Sequence, residues 1–465
     1  MAAQQDEREQ APGRPRVRRW WQDNGICPPL AVKEKEGRGG GVFTTEDLKC
    51  GTEVLPPIAP LACALMSDVR GCYCDYCFKS VEDCGKPLRR CSRCRFAYYC
   101  SKACQESDWR SHKHECRVTI SKAWLSVMMR LVLRCMHIQG KQKQELDLLR
   151  ASDDNLLSEG ASKDTQNCIH GVLGFLDTDD PATKKKIVDI AYKITFNGFS
   201  IHEDELRPIG VGLYTCLSLF NHSCVPNCAA VSDGRKLVVR TVADIKAGEQ
   251  LVVSYLDPFD TPEQRKLKLT EYGFECDCEM CNTELYPDSP FRALEAGLEG
   301  SSPDEVRVAV ERGVESLKRA KYLMDMDDWR RALVEIGSSL SRQAGILHCM
   351  HNVTLTTQEQ LYYAYMGLEN LPMAVEACEK LSEPYQRYLP KYHPVLGSHV
   401  FRLGTLLFQL GVFSKNCHKL SECLTVLTKG VEHLRVTHGP DHPYTQYAVA
   451  TLEKAQAVLS MLSEA

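Results

Sequence analysis

Gly210-Val-Gly-Leu-Tyr-Thr-Cys-Leu-Ser-Leu-Phe-Asn-His-Ser-Cys-Val-Pro-Asn-Cys228 is the stretch on which the reading of this 465-residue chain turns. It is apolar from Leu213 to Phe220 and then polar at Asn221-His222-Ser223-Cys224. Pro226 stops any helix from continuing, because its ring removes an amide donor and clashes with the preceding turn. An apolar run ending in a polar turn holds Asn221 and His222 on a rigid edge. It also offers Cys224 as a metal ligand whose partners must come from elsewhere in the chain. The plain alternative is a buried strand end capped by an asparagine.

Those partners lie downstream. Tyr272-Gly-Phe-Glu-Cys-Asp-Cys-Glu-Met-Cys281 brings Cys276, Cys278 and Cys281 together, three thiolates and one short of a tetrahedral zinc site. Cys224 is the natural fourth. A shared ion would tie the chain after Tyr255 back over Asn221-His222 and close a pocket. Between the two clusters, Lys236–Val242 and Gln250–Tyr255 read as strands around an Asp244–Glu249 turn. A short helix is expected from Pro262.

A second thiol-rich region precedes the opening stretch. Cys74-x2-Cys77, Cys91-x2-Cys94, Cys100-x3-Cys104 and His112-x3-Cys116 give eight ligands in four pairs, enough for two tetrahedral sites with no open position. The interleaved arrangement is expected: Cys74, Cys77, Cys100 and Cys104 on one ion, and Cys91, Cys94, His112 and Cys116 on the other. So short a segment cannot build a large apolar core, so metal must supply most of its folding energy. Cys72 and Cys84 fall outside the pattern, and His114 is expected to face solvent. Lys86, Arg89, Arg90, Arg93, Arg95, Lys102, Arg110, Lys113 and Arg117 outnumber Glu106, Asp108 and Glu115 here. A solvated surface is the plain reading. The functional one is contact with an acidic or proline-rich protein partner or, more weakly, with the phosphates of DNA.

Composition sets the limits. The chain is 43% hydrophobic and 25% charged, with a net charge of −4, a globular make-up that argues against wholesale nucleic-acid binding. The N-terminus from Met1 to Trp21 is polar and Arg-rich and lacks the apolar core of a secretory signal, so it reads as a disordered tail. Arg14-Pro-Arg-Val-Arg-Arg19 reads at most as a weak nuclear address. No apolar run approaches the roughly 20 residues of a membrane span. Of the 24 cysteines, eleven have ligand spacing. The rest, such as Cys63, Cys135 and Cys378, are expected to be buried small side chains.

Gly37-Arg-Gly-Gly-Gly-Val-Phe-Thr-Thr45 is a glycine-rich turn entering a β-branched run, and Leu48–Leu55 a turn and a further strand. A hairpin and a ligand loop remain equal readings. Val118 to about Ile194 has helical periodicity, through Trp124, Val127, Met128, Leu131 and Val132 and again through Ile187, Ile190, Ala191 and Ile194, with a polar loop from Ser152 to Asp164. Beyond Pro290 the chain is helical. His351-Asn-Val, His393-Pro-Val and His442-Pro-Tyr mark a repeat with spacings of 42 and 49 residues, the second expected to be enlarged by an insertion near Ser414–Lys419. Such helix pairs resemble tetratricopeptide repeats, serving as a scaffold or a peptide groove.

In this order the motifs resemble the SET-and-MYND-domain (SMYD) family of protein-lysine methyltransferases, over nearly the whole chain. Gly37–Val42, Asn221-His222-Ser223-Cys224, Gly248–Tyr255 and Cys276/Cys278/Cys281 are similar to its SET motifs, and the pairs from Cys74 to Cys116 to its inserted MYND module. The resemblance implies an α+β fold. SET-domain β-sheets form a pseudoknot in which the Tyr255 segment threads beside Asn221-His222, with an inserted zinc-binding MYND module and a C-terminal all-α tetratricopeptide-like domain. It divides the chain into a disordered tail (1–26), the N-terminal SET part (27–73), the MYND module (74–116), a helical SET insertion (117–195), the SET core (196–260), a post-SET zinc segment (261–284) and the helical domain (285–465).

The resemblance also implies S-adenosylmethionine as cofactor and three structural zinc ions. Arg38, Gly39, Gly40 and Gly41 would line the cofactor's methionine end. Asn197, Asn221, His222 and Tyr255 would contact it, and Phe274 would stack near the adenine. Related proteins usually carry Asn where this chain has Gly40, so one side-chain hydrogen bond is missing. Phe199, Tyr255 and Tyr272 match the family's aromatic lysine channel, whose apolar walls disfavour the ammonium and hold nitrogen, methyl and sulfur in line. Tyr255 orients the amine and is no strong base, since a tyrosine near its reference pKa of ~10 stays protonated. Implied substrates are lysines of histone tails or other proteins, with the chain a monomer in cytoplasm and nucleus, off the membrane. The competing reading is an inactive adaptor that binds partners through the MYND module and the helical repeats.

Overall fold

The computed structural model describes residues 29–35, 39–119, 125–149, 162–272, 274–276, 278, 280–282, 284, 286 and 288–463. The expected tail, Arg38, Trp124 and most of the polar loop from Ser152 lie outside them. The chain divides into two units, Met1–Asn221 with Ala230–Val253, and His222–Ala229 with Ser254–Ala465.

In the first unit, β1 (Leu30–Lys35) pairs antiparallel with β2 (Gly39–Thr44), from Leu30↔Thr44 to Lys35↔Gly39. The glycine-rich stretch therefore forms one arm of a hairpin. β3 (Glu53–Ile58) leaves for another sheet, and β4 (Ala62–Leu65) follows. The thiol-rich module contributes the short pair β5 (Arg89–Arg90) and β6 (Tyr98–Tyr99) and the helix α1 (Lys102–Thr119).

Four helices come next: α2 (Val127–Cys135), α3 (Lys141–Leu148), α4 (Lys163–Leu176) and α5 (Pro181–Asn197). Each of α2, α4 and α5 starts on a side chain that accepts an otherwise orphaned amide: Ser126, Ser162 and Asp180. The apolar stripes face one core. Leu131, Val132, Val172, Ile187, Ile190 and Ile194 pack together in it with Leu213.

β7 (Gly198–His202) and β8 (Pro208–Leu213) complete the sheet β4-β8-β7, in which Leu213 opposes both Ala62 and Gly198. The apolar run then bends through a single 3-10 turn, Leu217–Leu219, into β9 (Asn221–His222). β10 (Cys228–Asp233), β11 (Lys236–Thr241) and β3 form a second sheet, and β12 (Val252–Val253) pairs with β9. The strand expected over Gln250–Tyr255 is thus shorter. The amide of Tyr255 bonds to a histidine side chain, and that of Leu256 to Ser254 Oγ at 3.3 Å, so neither continues a ladder.

The thiol module is held to the rest of this unit by buried charges. Arg130 donates to Glu115 Oε2 (3.1 Å), Asp75 Oδ1 (2.7 Å) and the Leu65 carbonyl (3.2 Å). Arg134 donates to Asp108 Oδ1 and the Cys63 carbonyl, both at 3.0 Å, and to Glu115. Burial alone pushes the Glu115 carboxyl up, but the two guanidiniums overcome it and hold it well below the usual carboxylate range. Asp108 and Glu115, counted above as surface acids, are therefore internal, and the module's exposed face is more basic than composition suggested. His114, expected in solvent, is half-buried and stacked on His137 at 3.6 Å.

The second unit opens with α6 (Pro262–Glu271), capped reciprocally by Thr261 and Gln264. The helical repeat then runs α7 (Pro303–Asp325), α8 (Trp329–Gln343), α9 (Asn352–Gly367), α10 (Leu371–Glu379), α11 (Ser382–Tyr388), α12 (Pro394–Ser414), α13 (Cys417–Thr437) and α14 (Pro443–Ser463). No inserted loop enlarges the second spacing. Residues 415–416 make a tight link, and the extra length is helix, since α12 and α13 have 21 residues each.

α12 is also long and apolar enough to cross a membrane by length and composition, against the sequence reading. Here 61% of its apolar window is buried, with Phe401, Leu406 and Leu407 in the unit's core. Glycines seven apart let it approach α13 closely. A Cβ at Gly404 would lie 2.8 Å from Leu427, and one at Gly411 2.8 Å from Leu420. Among the scattered cysteines, Cys63, Cys135 and Cys378 are buried as expected, but Cys72, Cys349 and Cys417 are exposed.

The repeated histidines have one physical job. His351, His393 and His442 each begin a helix, and each Nδ1 accepts the amide two residues on at 3.2 Å. Burial depresses His351 and His393 from 6.5 to about 4. The neutral, accepting form is the folded one. Stability is therefore full above the unfolded value and falls as pH drops from about 6.5 toward 4. At pH 5.5 each should cost roughly 1 kcal/mol. Denaturant titration followed by circular dichroism should show this acid loss, and His351→Asn with His393→Asn, which keep an acceptor without the titration, should flatten it.

Candidate active site and metal centres

The thiols assemble in three groups. Cys74, Cys77, Cys100 and Cys104 form one, Cys91, Cys94, His112 and Cys116 the second, and Cys224, Cys276, Cys278 and Cys281 the third. Within each, the ligand atoms lie within 4.8 Å of one another. Both the interleaved pairing and the fourth-ligand role of Cys224 are what the spacings predict. Four sulfurs, or three and an imidazole, suit a tetrahedral zinc ion and leave no open position.

In the third group Cys224 Sγ is 3.4 Å from Cys281 Sγ and 4.0 Å from Cys276 Sγ. The sulfurs compete for protons: their mutual hydrogen bond holds Cys276 far below the usual thiol range and pushes Cys224 up. A divalent cation removes that conflict by taking all four as thiolates. In the second group, Glu115 Oε1 lies 2.9 Å from His112 Nδ1, leaving Nε2 toward Cys94 Sγ at 3.4 Å. A carboxylate behind a histidine ligand fixes ring orientation and tautomer. Asp108, His112 and Glu115 also lie close enough to hold an ion, but Arg134 already occupies both carboxylates.

Around the third group sits an aromatic cluster of the second unit. The Tyr255 amide donates to His222 Nδ1 at 3.0 Å, and His222 Nε2 lies 3.2 Å from Cys224 Sγ. An amide can only donate, so Nδ1 is the acceptor and the neutral ring carries its proton on Nε2, directed at the sulfur. Both ring nitrogens are thus engaged inside the protein. The expected cofactor contact of His222 must come from its main chain or ring edge. Tyr255 stands 5.3 Å from His222 and 5.1 Å from Tyr272, and Phe274 is 6.0 Å from His222, ring centre to ring centre.

The first unit holds the remaining candidates. Asn221 Nδ2 donates to the Gly40 carbonyl at 3.2 Å. A Cβ on Gly41 would lie 2.1 Å from Gln250 Nε2 and 2.9 Å from Asn221 Nδ2, so a side chain there would have to displace both amides, whereas one on Gly40 meets nothing within 4 Å. Gly39 continues the strand. Asn197, buried at the end of α5, donates to the Lys193 carbonyl at 2.9 Å. Phe199 meets Tyr214 edge-on at 6.1 Å. Arg38 lies outside the described residues. The sequence reading missed the buried pair Arg130 and Arg134, although arginines four apart in the otherwise apolar Val127–Cys135 were a readable signal.

Comparison with known proteins agrees with this arrangement. Residues 39–256 match the model of the SET domain. Human "Histone-lysine N-methyltransferase SMYD3" is 30% identical over 447 residues, covering 92% of this chain and 98% of that protein. Human "N-lysine methyltransferase SMYD2" is 28% identical over 438 residues, covering 88% and 94%. "Histone-lysine N-methyltransferase ASHR1" of Arabidopsis thaliana is 26% identical over 479 residues, covering 93% and 96%. With a SET core, two interleaved Cys/His sites inside it and near-complete coverage of these relatives, the chain belongs to the SET-and-MYND-domain (SMYD) family of protein-lysine methyltransferases.

Proposed function

We propose that the protein transfers a methyl group from S-adenosylmethionine to lysine side-chain amines of protein substrates, histones among them, and so regulates transcription. The observation that supports this most is the hydrogen-bonded chain from Cys224 Sγ through the His222 ring to the Tyr255 amide, beside Tyr272 and Phe274. It joins a structural metal site to a wall of aromatic side chains and fixes the backbone of Tyr255.

The cofactor supplies an electrophilic methyl on a sulfonium. Open space beside Gly40, whose carbonyl Asn221 already orients, suits its amino-acid end, with Arg38, Gly39, Gly41 and Asn197 assigned there on the family pattern. Phe274 is assigned to the adenine. Tyr255 and Tyr272, with Phe199 by the same pattern, wall the lysine channel. Aromatic walls disfavour the ammonium, so the amine reacts with its lone pair free. The Tyr255 hydroxyl orients that nitrogen, and positioning supplies most of the rate. Three zinc ions are structural. Acidic or proline-rich protein segments are assigned to the basic face of the module, with DNA a weaker contact. The protein acts as a monomer in nucleus and cytoplasm.

The test is incubation of the zinc-loaded protein with S-adenosylmethionine and a lysine peptide library, read by mass spectrometry. Methylated Nζ groups are expected, and none across a broad library, with zinc and fold intact, would refute the reading. Gly40 provides a gain-of-function check. Its open surroundings admit a side chain, so Gly40→Asn should tighten S-adenosylmethionine binding about fivefold, the worth of one net hydrogen bond. Calorimetric titration measures this, and unchanged affinity would show that main-chain groups already satisfy that end.

A further inference from the structure

We propose that a cavity between the thiol module and the SET core is a binding site for a single phosphate-type oxyanion. The cavity, about 180 Å³, lies within the first unit, where residues 60–63, the middle of α1, the end of α2 and the tip of the β10–β11 hairpin converge. Three arginines line it, Arg110, Arg134 and Arg235, against one carboxylate, Asp108. Counting Glu115 behind Arg134, the guanidiniums still outnumber the acids.

Arg134 is 4% exposed, and its two terminal nitrogens are engaged by Asp108, Glu115 and the Cys63 carbonyl. Its Nε–H is buried and has no hydrogen-bond partner among the described residues, so Arg134 gives the cavity its charge rather than a free donor on the wall. Arg235 is held in place from two sides. Its guanidinium lies 4.0 Å from the Tyr76 ring centre and donates to the Tyr76 hydroxyl at 3.1 Å, while its carbonyl accepts from the Tyr214 hydroxyl at 2.6 Å. The hairpin tip beside it is fixed too: a Cβ on Gly234 would lie 2.6 Å from the Cys77 carbonyl. Neither Arg235 nor the exposed Arg110 has a carboxylate partner among the described residues.

Guanidiniums converging from three chain segments, two of them fixed by packing, concentrate positive charge that matches the several acceptor oxygens of a phosphate group. Its source is either free inorganic phosphate or a phosphoryl group carried on a peptide. Bound there, it would bridge Arg110 of the thiol module to Arg134 and Arg235 of the core.

The experiment titrates the full, zinc-loaded chain with inorganic phosphate and, separately, with acetyl-Gly-phosphoserine-Gly-amide, followed by calorimetry and phosphorus NMR line broadening. Saturable binding is expected, about fivefold or more weaker in Arg235→Gln and in Arg110→Gln and unchanged in Lys246→Gln, a surface lysine of the same unit. Arg110→Gln keeps the test decisive should Arg235→Gln lose structure, because Arg110 is exposed. Tighter binding of the phosphopeptide assigns the site to a phosphorylated partner, and equal or weaker binding assigns it to the free anion. Absence of saturable binding by both probes, or equal binding in all three variants, would overturn the proposal.

Discussion

Cys224→Ser is expected to abolish methyl transfer and to lower bound zinc from three ions per chain to two. Serine keeps the shape but is a poor ligand for zinc at neutral pH, and three thiolates in the short span from Cys276 to Cys281 do not close a tetrahedral site alone. The damage spreads along the hydrogen bonds. Without a thiolate 3.2 Å from Nε2, the His222 Nε2–H loses its acceptor, and the ring that accepts the Tyr255 amide is held from one side only. Loss of outer-shell partners alone typically costs about 10- to 100-fold in metal affinity or activity, and removal of a ligand should exceed that. Zinc analysis by emission spectrometry together with a labelled-methyl assay checks both parts. A variant that keeps three ions and full transfer would show that the third group does not support the aromatic cluster. The first two groups should be unaffected, since they share no ligand with it.

The second large effect is expected from Arg130→Met. This side chain is 2% exposed and answers both Asp75 and Glu115. Methionine fills much of the volume but leaves Asp75 without its guanidinium and Glu115 with Arg134 alone. Breaking one side of a buried ion network costs about 3–5 kcal/mol, because an uncompensated charge stays in a low-dielectric interior. Glu115 also orients His112, so the loss should appear twice: as a lower denaturation midpoint and as faster zinc release from the Cys91/Cys94/His112/Cys116 site to a chelating dye. Arg134→Met should act in the same direction, and less than additively with Arg130→Met, since the two share Glu115. An exposed pair such as Lys102 and Glu106 should matter little by comparison.

What could be read in the sequence followed from range. Two cysteines separated by two or three residues must approach one ion together, so the pairs announced themselves, and counting thiols assigned Cys224 to Cys276, Cys278 and Cys281. Helix starts at His351, His393 and His442 were visible as a repeat, though their capping role was not: a histidine caps only when burial keeps it neutral, and burial is a property of the packed unit. The internal acids were misread for the same reason. Asp108 and Glu115 look like surface charges on a basic helix until Arg130 and Arg134 arrive from α2. The His222–Tyr255 bond spans 33 residues and has no local signature. Nor did periodicity reveal that Gln250–Tyr255 stops being a strand after Val253, because that depends on where the Tyr255 amide finds its acceptor.

Tyr255→Phe puts the account to its most direct test, because it removes one hydroxyl and leaves the His222 hydrogen bond, made by the main chain, in place. S-adenosylmethionine affinity, zinc content and melting temperature should stay near those of the parent protein. Transfer to lysine should fall by about 100-fold or more, the usual cost of losing one well-placed donor in a closed site. Transfer at the parent rate by Tyr255→Phe would contradict the account.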